Sequence, residues 1–379
     1  MNLIKRRILM TGANGFIGQN LVVRLAELEG FSILTFVRGD DLALLPQLLS
    51  QADAVVHLAG ENRPADPAAF SEVNAGLTNI LCEAIRDEHA ASGRRMPLLL
   101  ASSIQAEQDN PYGRSKLAAE QAVEQLAADI GNEVRVFRLP GVFGKWCKPN
   151  YNSVVATFCH NLARGLPIQI HAPGAVLRLV YIDDVVSTFI HVLEKPESGF
   201  SFERVEPEYS LTLGQLADQI RAFDACRTLL MSERVGTGLL RALYATYVSY
   251  LPSEKFSYQV PEHGDARGVF VEMLKTSDSG QFSYFTAHPG ITRGGHYHHT
   301  KSEKFLVIKG EALFRFRNIL TDELVELRTS GATPQVVDTV PGWSHDITNV
   351  GNDEMIVMLW ANENFDRQNP DTVASKVES

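Results

Sequence analysis

Few cysteines, no basic stripe and no long apolar run: each scarcity in this chain closes off a class of function. Its four cysteines in 379 residues, Cys82, Cys147, Cys159 and Cys226, are scattered without a C-x-x-C pair. That spacing excludes a cysteine zinc site and fits reduced thiols rather than a disulfide framework. The opening MNLIKRRILMTGANG is basic but meets a glycine turn after a very short apolar run. It is neither a secretory signal nor a membrane span, so a cytoplasmic protein with no membrane partner is expected. The formal net charge is -10, with no lysine- or arginine-rich stripe. A footprint for a phosphate backbone is therefore missing, and no nucleic-acid partner is expected. Repeats and low-complexity segments are lacking as well. What remains is globular composition, 45% hydrophobic and 21% charged. The length suits about two to three domains.

From residue 7 to about 195, short β-rich runs alternate with amphipathic helical stretches. The strand candidates are Arg7–Met10, Ser32–Val37, Ala54–Leu58, Pro97–Ala101 and Glu133–Arg138. Stretches between them, such as SKLAAEQAVEQLAAD (115–129), read as helix. Together they predict a doubly wound α/β domain of the Rossmann type, built on a parallel sheet. Residues 211–250 read as helical. After LPSEKFSYQVPEH (251–263), runs such as EKFLVIKG, EALFRFRN and EMIVMLWAN are broken by Gly, Pro and Asn turns, which predicts an all-β sandwich or barrel. The boundary is drawn to give domains 1–252 and 253–379.

TGANGFIG (11–18) spaces Gly12, Gly15 and Gly18 between a strand and a helix. Glycines there let the backbone approach a pyrophosphate, which the helix N-terminus then stabilises. About twenty residues on, where an acidic group would accept a ribose hydroxyl, stands Arg38. Arginine favours a 2'-phosphate and hence NADP, while Asp40 and Asp41 keep NAD open. Tyr112 and Lys116 form Y-x-x-x-K, one helical turn apart. An ammonium beside the phenol should lower its pKa toward neutrality, where it exchanges a proton with a substrate hydroxyl or carbonyl. Ser103, at the end of the preceding strand, is placed to orient the same substrate oxygen.

GGHYHHTKSEKF (294–305) carries a second candidate site. His296 and His298, two apart on a strand, face one side of a sheet; Glu303 follows, and His345 arrives in PGWSHDITN (341–349). Three nitrogens and one carboxylate suit a first-row divalent metal, with zinc, manganese, iron and nickel all chemically possible. The rival is a histidine-rich pocket without metal. His299 points to the opposite strand face, and His288 lines the pocket or sits in a turn.

Residues 1 to about 250 resemble the extended short-chain dehydrogenase/reductases acting on nucleotide sugars, through TGANGFIG, ADAVVHLAG (52–60), VNAGLTN (73–79), ASSIQ (101–105), YGRSK (112–116) and YIDDVV (181–186). The resemblance implies that Ser103, Tyr112 and Lys116 are catalytic. It places Gly12, Asn14, Gly15, Phe16, Ile17, Gly18, Arg38, Leu58, Ala59, Gly60, Tyr112 and Lys116 at the cofactor. Substrate contacts fall to Asn74, to Lys145, Lys148 and Asn152 in GKWCKPNYNSVVATFC (144–159), and to Arg178 and Arg267. Gly141 stands in RLPGVFG where many relatives have asparagine.

The 289–310 and 341–349 segments resemble the two cupin motifs, and DARGVFVE (265–272) with GITRGGHYH (290–298) resembles the metal-free sugar-nucleotide 3,5-epimerases. In that branch the histidine matching His296 acts as a base. Over the whole chain, the domain order, LPSEKFSY and KWCKPNYNS resemble the bifunctional CapF-type enzymes of UDP-N-acetyl-L-fucosamine synthesis for capsule and lipopolysaccharide. The resemblance implies a Rossmann-type domain followed by a cupin barrel. It also implies C3 epimerisation of a UDP-2-acetamido-2,6-dideoxy-4-hexulose, NADPH reduction at C4 to the L-talose sugar, zinc held by His296, His298, Glu303 and His345, and a homodimer. Two rivals stay open: a reductase making the L-rhamno sugar, and a cupin serving only as a dimerisation or sugar-sensing module.

Overall fold

The runs RRILMT, FSILTF, AVVH, LLLASS and VRVFRL carry consecutive apolar residues, as in strands covered on both faces. In the computed structural model they form a parallel sheet with Phe200–Glu203, and Ile8, Leu9, Met10, Val55, Val56 and Leu98 are fully buried in it. The structure describes residues 5–64, 66, 68–195, 198–260, 262–265, 268–271, 274–276, 281–363 and 368–378. The chain divides into two compact units, Met1–Ser153 with Leu177–Ser210, and Val154–Val176 with Leu211–Ser379.

In the first unit the strand order is Phe31–Phe36, Arg6–Thr11, Ala54–His57, Leu98–Ser103, Val134–Leu139, Phe200–Glu203. The order reverses between Arg6–Thr11 and Ala54–His57, so their carboxyl ends open the crevice where such sheets bind ligands. The expected doubly wound sheet is therefore present, with its first five strands within about two residues of their expected bounds. The helix expected over 115–129 is longer, Pro111–Ile130. Pro111 suits the first helical position, and the Asn110 side chain accepts the Gly113 N–H at 2.8 Å. The extension puts Tyr112 and Lys116 together in the first turns.

The second unit holds the helices Val154–Ala163, Leu213–Leu229 and Gly238–Ser249 and two five-stranded sheets, as expected for an all-β region. One sheet runs Ser257–Gln259, Gln335–Asp338, Glu303–Lys309, Met355–Ala361, Gln281–Ala287; the other Leu324–Ser330, Glu311–Asn318, Trp343–Asn349, Thr292–Tyr297, Val373–Ala374. Ala312, Phe314 and Phe316 alternate with less buried neighbours, the period-two signature of a strand with one face on a core. Phe305, Phe314, Phe316, Trp343 and Phe256 meet ring to ring in that core.

The sequence boundary at 252/253 marks a change of element type, whereas the compact unit also takes in helices before it. Across it, Asp338 is fully enclosed, accepts Lys304 Nζ at 2.5 Å and pairs with Arg227 of the helix Leu213–Leu229. Burial would raise the Asp338 pKa, but the two cations outweigh it and hold the carboxylate below its usual range. Removing one member leaves buried charge uncompensated. Asp338→Ala is expected to lower stability by about 3–5 kcal/mol, read as a lower midpoint in urea unfolding followed by tryptophan fluorescence.

Candidate active sites

The strand Arg6–Thr11 turns at Gly12 into the helix Phe16–Ala26. Gly12 has φ +70, and a Cβ there would stand 2.6 Å from the Ala59 amide nitrogen, so only glycine fits. This closeness sets Leu58, Ala59 and Gly60 beside the loop: Leu58 N–H donates to the Thr11 carbonyl, and Ala59 N–H to the Thr11 hydroxyl, both at 3.2 Å. Gly15 caps the helix with no side-chain hydrogen bond, next to exposed Asn14 and ahead of Phe16, Ile17 and buried Gly18. A helix start of this form suits a phosphate.

Arg38 is 83% exposed and pairs with Glu61 at 2.7 Å. The Tyr151 hydroxyl donates to the same carboxylate at 3.0 Å. Burial would raise the Glu61 pKa, but its bonds to Arg38 and Tyr151 win and hold it below the ordinary range. Sequence reasoning missed Glu61, because its pairing with Arg38 is made only when two strand ends meet.

Ser103 ends the strand Leu98–Ser103 and hydrogen-bonds the Tyr112 phenol. One turn on, Lys116 is buried and donates to the Ala101 carbonyl at 2.7 Å. The three residues are thus brought together at the carboxyl edge of the sheet. The expected lowering of the Tyr112 pKa is corrected: burial raises it, and the Ser103 bond offsets only part of that rise. Lys116 is pushed down to about 8 by burial, against the pull of Glu120. The phenol is therefore a proton holder at neutral pH.

Of the residues expected at the substrate, Asn74, Lys145 and Arg178 are each bonded within the first unit. Asn74, in a π-helical turn Ser71–Gly76, accepts the Glu61 N–H at 2.7 Å and donates to Glu61 O at 3.0 Å and Ser115 Oγ at 2.9 Å. Buried and fully engaged, it braces the loop that carries Glu61. Lys145 is also buried, its ammonium on Asp183 at 2.6 Å, which places it inside the unit rather than at an open surface. Arg178 pairs with Glu208 at 2.9 Å; Lys148 and Asn152 are exposed. Arg267 lies outside the described residues.

In the second unit His296, His298, Glu303 and His345 converge, with one donor atom of each within 4.8 Å of the others. Register explains it: His296 stands directly across from His345 in the antiparallel pair. That pairing needs the bulge at Gly294 and Gly295, where a Gly294 Cβ would lie 2.9 Å from the His345 carbonyl. His298 and His345 are buried and His296 is half-buried. His299 lies outside the cluster, its ring on Tyr297, and His288 sits exposed before the Pro289–Gly290 turn.

Burial, reinforced by His345 and His298, lowers the His296 pKa to about 4, and burial also lowers that of His345. Burial would raise the Glu303 carboxyl, yet its histidine neighbours hold it well below the ordinary range. His298 Nδ1 bonds the Asp371 carbonyl, which can only accept, so that nitrogen carries a proton. In neutral His298 the bare Nε2 then faces a Glu303 oxygen at 3.1 Å. Two acceptors so placed need a cation between them, either a proton or a metal ion. Both His345 ring nitrogens are buried without a hydrogen bond. The set fits a divalent cation, in the protonation states that metal ligands require.

Residues 8–206 match the NAD dependent epimerase/dehydratase family, and residues 263–373 match the polysaccharide biosynthesis C-terminal domain. A UDP-2-acetamido-2,6-beta-L-arabino-hexul-4-ose reductase of Pseudomonas aeruginosa is 57% identical over 371 residues, 98% of this chain and 99% of that one. Among solved structures, the capsular polysaccharide assembling protein CapF from Staphylococcus aureus is 41% identical over the whole of both chains, with TM-score 0.66. A CapF structure with the inhibitor 3-isopropenyl-tropolone is 36% identical, TM-score 0.61, covering 98% of this chain and 100% of that one. The chain belongs to the NAD dependent epimerase/dehydratase family and, over its full length, to the family of these CapF proteins. A nicotinamide cofactor comes with that membership. No helix among the described residues is long and apolar enough to cross a membrane.

Purified protein is expected to hold a divalent metal by inductively coupled plasma mass spectrometry, and Glu303→Ala or His345→Ala to lose it on gel filtration. Metal retained by both variants would overturn the donor set.

Proposed function

We propose that the chain is a bifunctional enzyme of UDP-amino-sugar synthesis, acting as a cytoplasmic homodimer. Residues 253–379 epimerise C3 of a UDP-2-acetamido-2,6-dideoxy-4-hexulose, and residues 1–252 reduce its C4 ketone to UDP-2-acetamido-2,6-dideoxy-L-talose. The observation that carries the reading is the pairing, in one chain, of a Ser103–Tyr112–Lys116 group with a cluster of three imidazoles and one carboxylate. The Pseudomonas relative, a hexul-4-ose reductase, supports the reduction.

A carbonyl at C4 acidifies the C3 hydrogen, so a base can remove it and a proton can return on the other face. His296, His298, Glu303 and His345 are proposed to hold zinc. When bound, a divalent cation supplies positive charge for the oxygen that turns negative as C3 loses its proton. Low pKa values keep the imidazoles of His296 and His345 unprotonated, and so competent as ligands or as a base.

Gly12, Gly15 and Gly18 let the loop fold tightly against Ala59 and its own backbone, so that its amides can meet the cofactor's pyrophosphate, and the exposed guanidinium of Arg38 supports a 2'-phosphate and hence NADPH. Asn14, Phe16, Ile17, Leu58, Ala59 and Gly60 complete that rim. NADPH, when bound, supplies the hydride. Ser103 orients the carbonyl oxygen and Tyr112 delivers the proton it needs, a role its buried, proton-holding phenol suits. Lys116 supplies positive charge beneath the tyrosine. Reduction removes the carbonyl, and with it the acidity of C3, so the new stereochemistry is locked.

Incubation with the 4-keto sugar in D2O without NADPH is expected to place deuterium at C3, seen by NMR. Absence of C3 deuterium, with an L-rhamno product once NADPH is added, would leave a reductase whose second site does not epimerise. Tyr112→Phe is expected to lower kcat for NADPH oxidation by about 10²–10⁴ with cofactor binding kept. Because burial sets Lys116 near 8, its ammonium is present below that pH and lost above it. The reduction rate should therefore fall as pH rises through about 8, and a flat profile to pH 10 would remove Lys116 charge from the mechanism.

A further inference from the structure

We propose that Asp371 is a positioning residue of the second site: its backbone carbonyl sets the ring of His298, and its carboxylate sets the turn that joins His298 to Glu303. The inference rests on the reading of the four side chains as a metal site. Asp371 carries no motif and lies far beyond Glu303 in the chain, yet its half-buried carboxylate accepts four hydrogen bonds from one turn. The donors are the N–H groups of His299 at 2.8 Å, Thr300 at 2.6 Å and Lys301 at 2.7 Å, and the Thr300 hydroxyl at 2.9 Å. Successive N–H groups converging on one point form an anion nest. Here the chain fills the nest with its own carboxylate.

The carbonyl of the same residue takes the Nδ1–H of His298. This fixes the tautomer whose Nε2 is bare and turned to Glu303, the form in which imidazole binds a metal. The segment continues as the strand Val373–Ala374, antiparallel to His296–Tyr297, and Ser375 N–H donates to the Gly295 carbonyl at 2.8 Å. One segment thus lies against the bulge, against His296 and against the turn to Glu303. Arg241 reaches the Thr300 hydroxyl from the helix Gly238–Ser249, bracing the turn from its other side.

The test uses the full-length chain as wild type, Asp371→Ala and Asp371→Asn. Zinc affinity is measured by competition with a chromogenic chelator, and the His298 tautomer in metal-free protein by ¹⁵N NMR of the ring nitrogens. Asp371→Ala is expected to weaken zinc binding about 10–100-fold and to mix the His298 tautomers. Asp371→Asn, which keeps one acceptor oxygen in the nest, should fall between. If Asp371→Ala does not fold, the asparagine variant alone carries the comparison. A residue that only stabilises the fold would lower the melting temperature but leave zinc affinity and tautomer as in wild type, and that result overturns the proposal. Should wild-type protein bind no zinc, the metal reading fails separately. The tautomer then decides: its loss in the variants supports positioning by Asp371, and its retention overturns it.

Discussion

Both candidate sites depend on a backbone lying where no side chain could stand between it and its neighbour. A Cβ at Gly12 would meet the Ala59 amide nitrogen at 2.6 Å, and one at Gly294 would meet the His345 carbonyl oxygen at 2.9 Å. In the first unit this lets two adjacent strand ends close around a loop that presents a helix start. In the second it permits the bulge that turns His296 to face His345 across the ladder. Added side chains would not merely lower stability; they would separate the groups that make the chemistry.

Burial then sets the working state of those groups. Around Tyr112 it favours the protonated phenol, which suits the proton-donating role proposed for it. Around His296 and His345 it favours the neutral imidazole, while Glu303 stays ionised through its neighbours. On the proposed reading the same low polarity prepares an acid in one unit and a set of ligands in the other. Which outcome results depends on whether the buried group starts neutral or cationic, and on the partners the fold supplies. On the proposed reading the two preparations act in turn on one carbonyl, which acidifies C3 and is then removed.

Much of this was legible in the chain. Short β-rich runs alternating with helical stretches marked the parallel sheet, and runs broken by Gly, Pro and Asn turns marked the sheets of the second unit. Local motifs brought Gly12, Ser103, Tyr112, Lys116, His296, His298, Glu303 and His345 into view, since Tyr112 and Lys116 stand one helical turn apart, His296 and His298 two apart, and the others lie in short motifs of their own. Glu61, Tyr151 and Asp371 were not legible. Their partners come from other elements, and no spacing records such a meeting. Lys145 was expected at the substrate through its loop's resemblance, and nothing in that loop's spacing recorded its pairing with Asp183.

Composition and periodicity alone determined the order of elements, the glycine loop and the identity of the clustered donors, since these depend on neighbours in the chain. Only the tertiary structure decided protonation and partners. It raised the Tyr112 pKa where the sequence argued for lowering, committed Asn74 and Asp338 to bracing, and brought a distant aspartate onto the histidine turn. The physical reason is that desolvation and hydrogen bonding act through space at a few ångströms, and the chain order does not encode which atoms will share that distance.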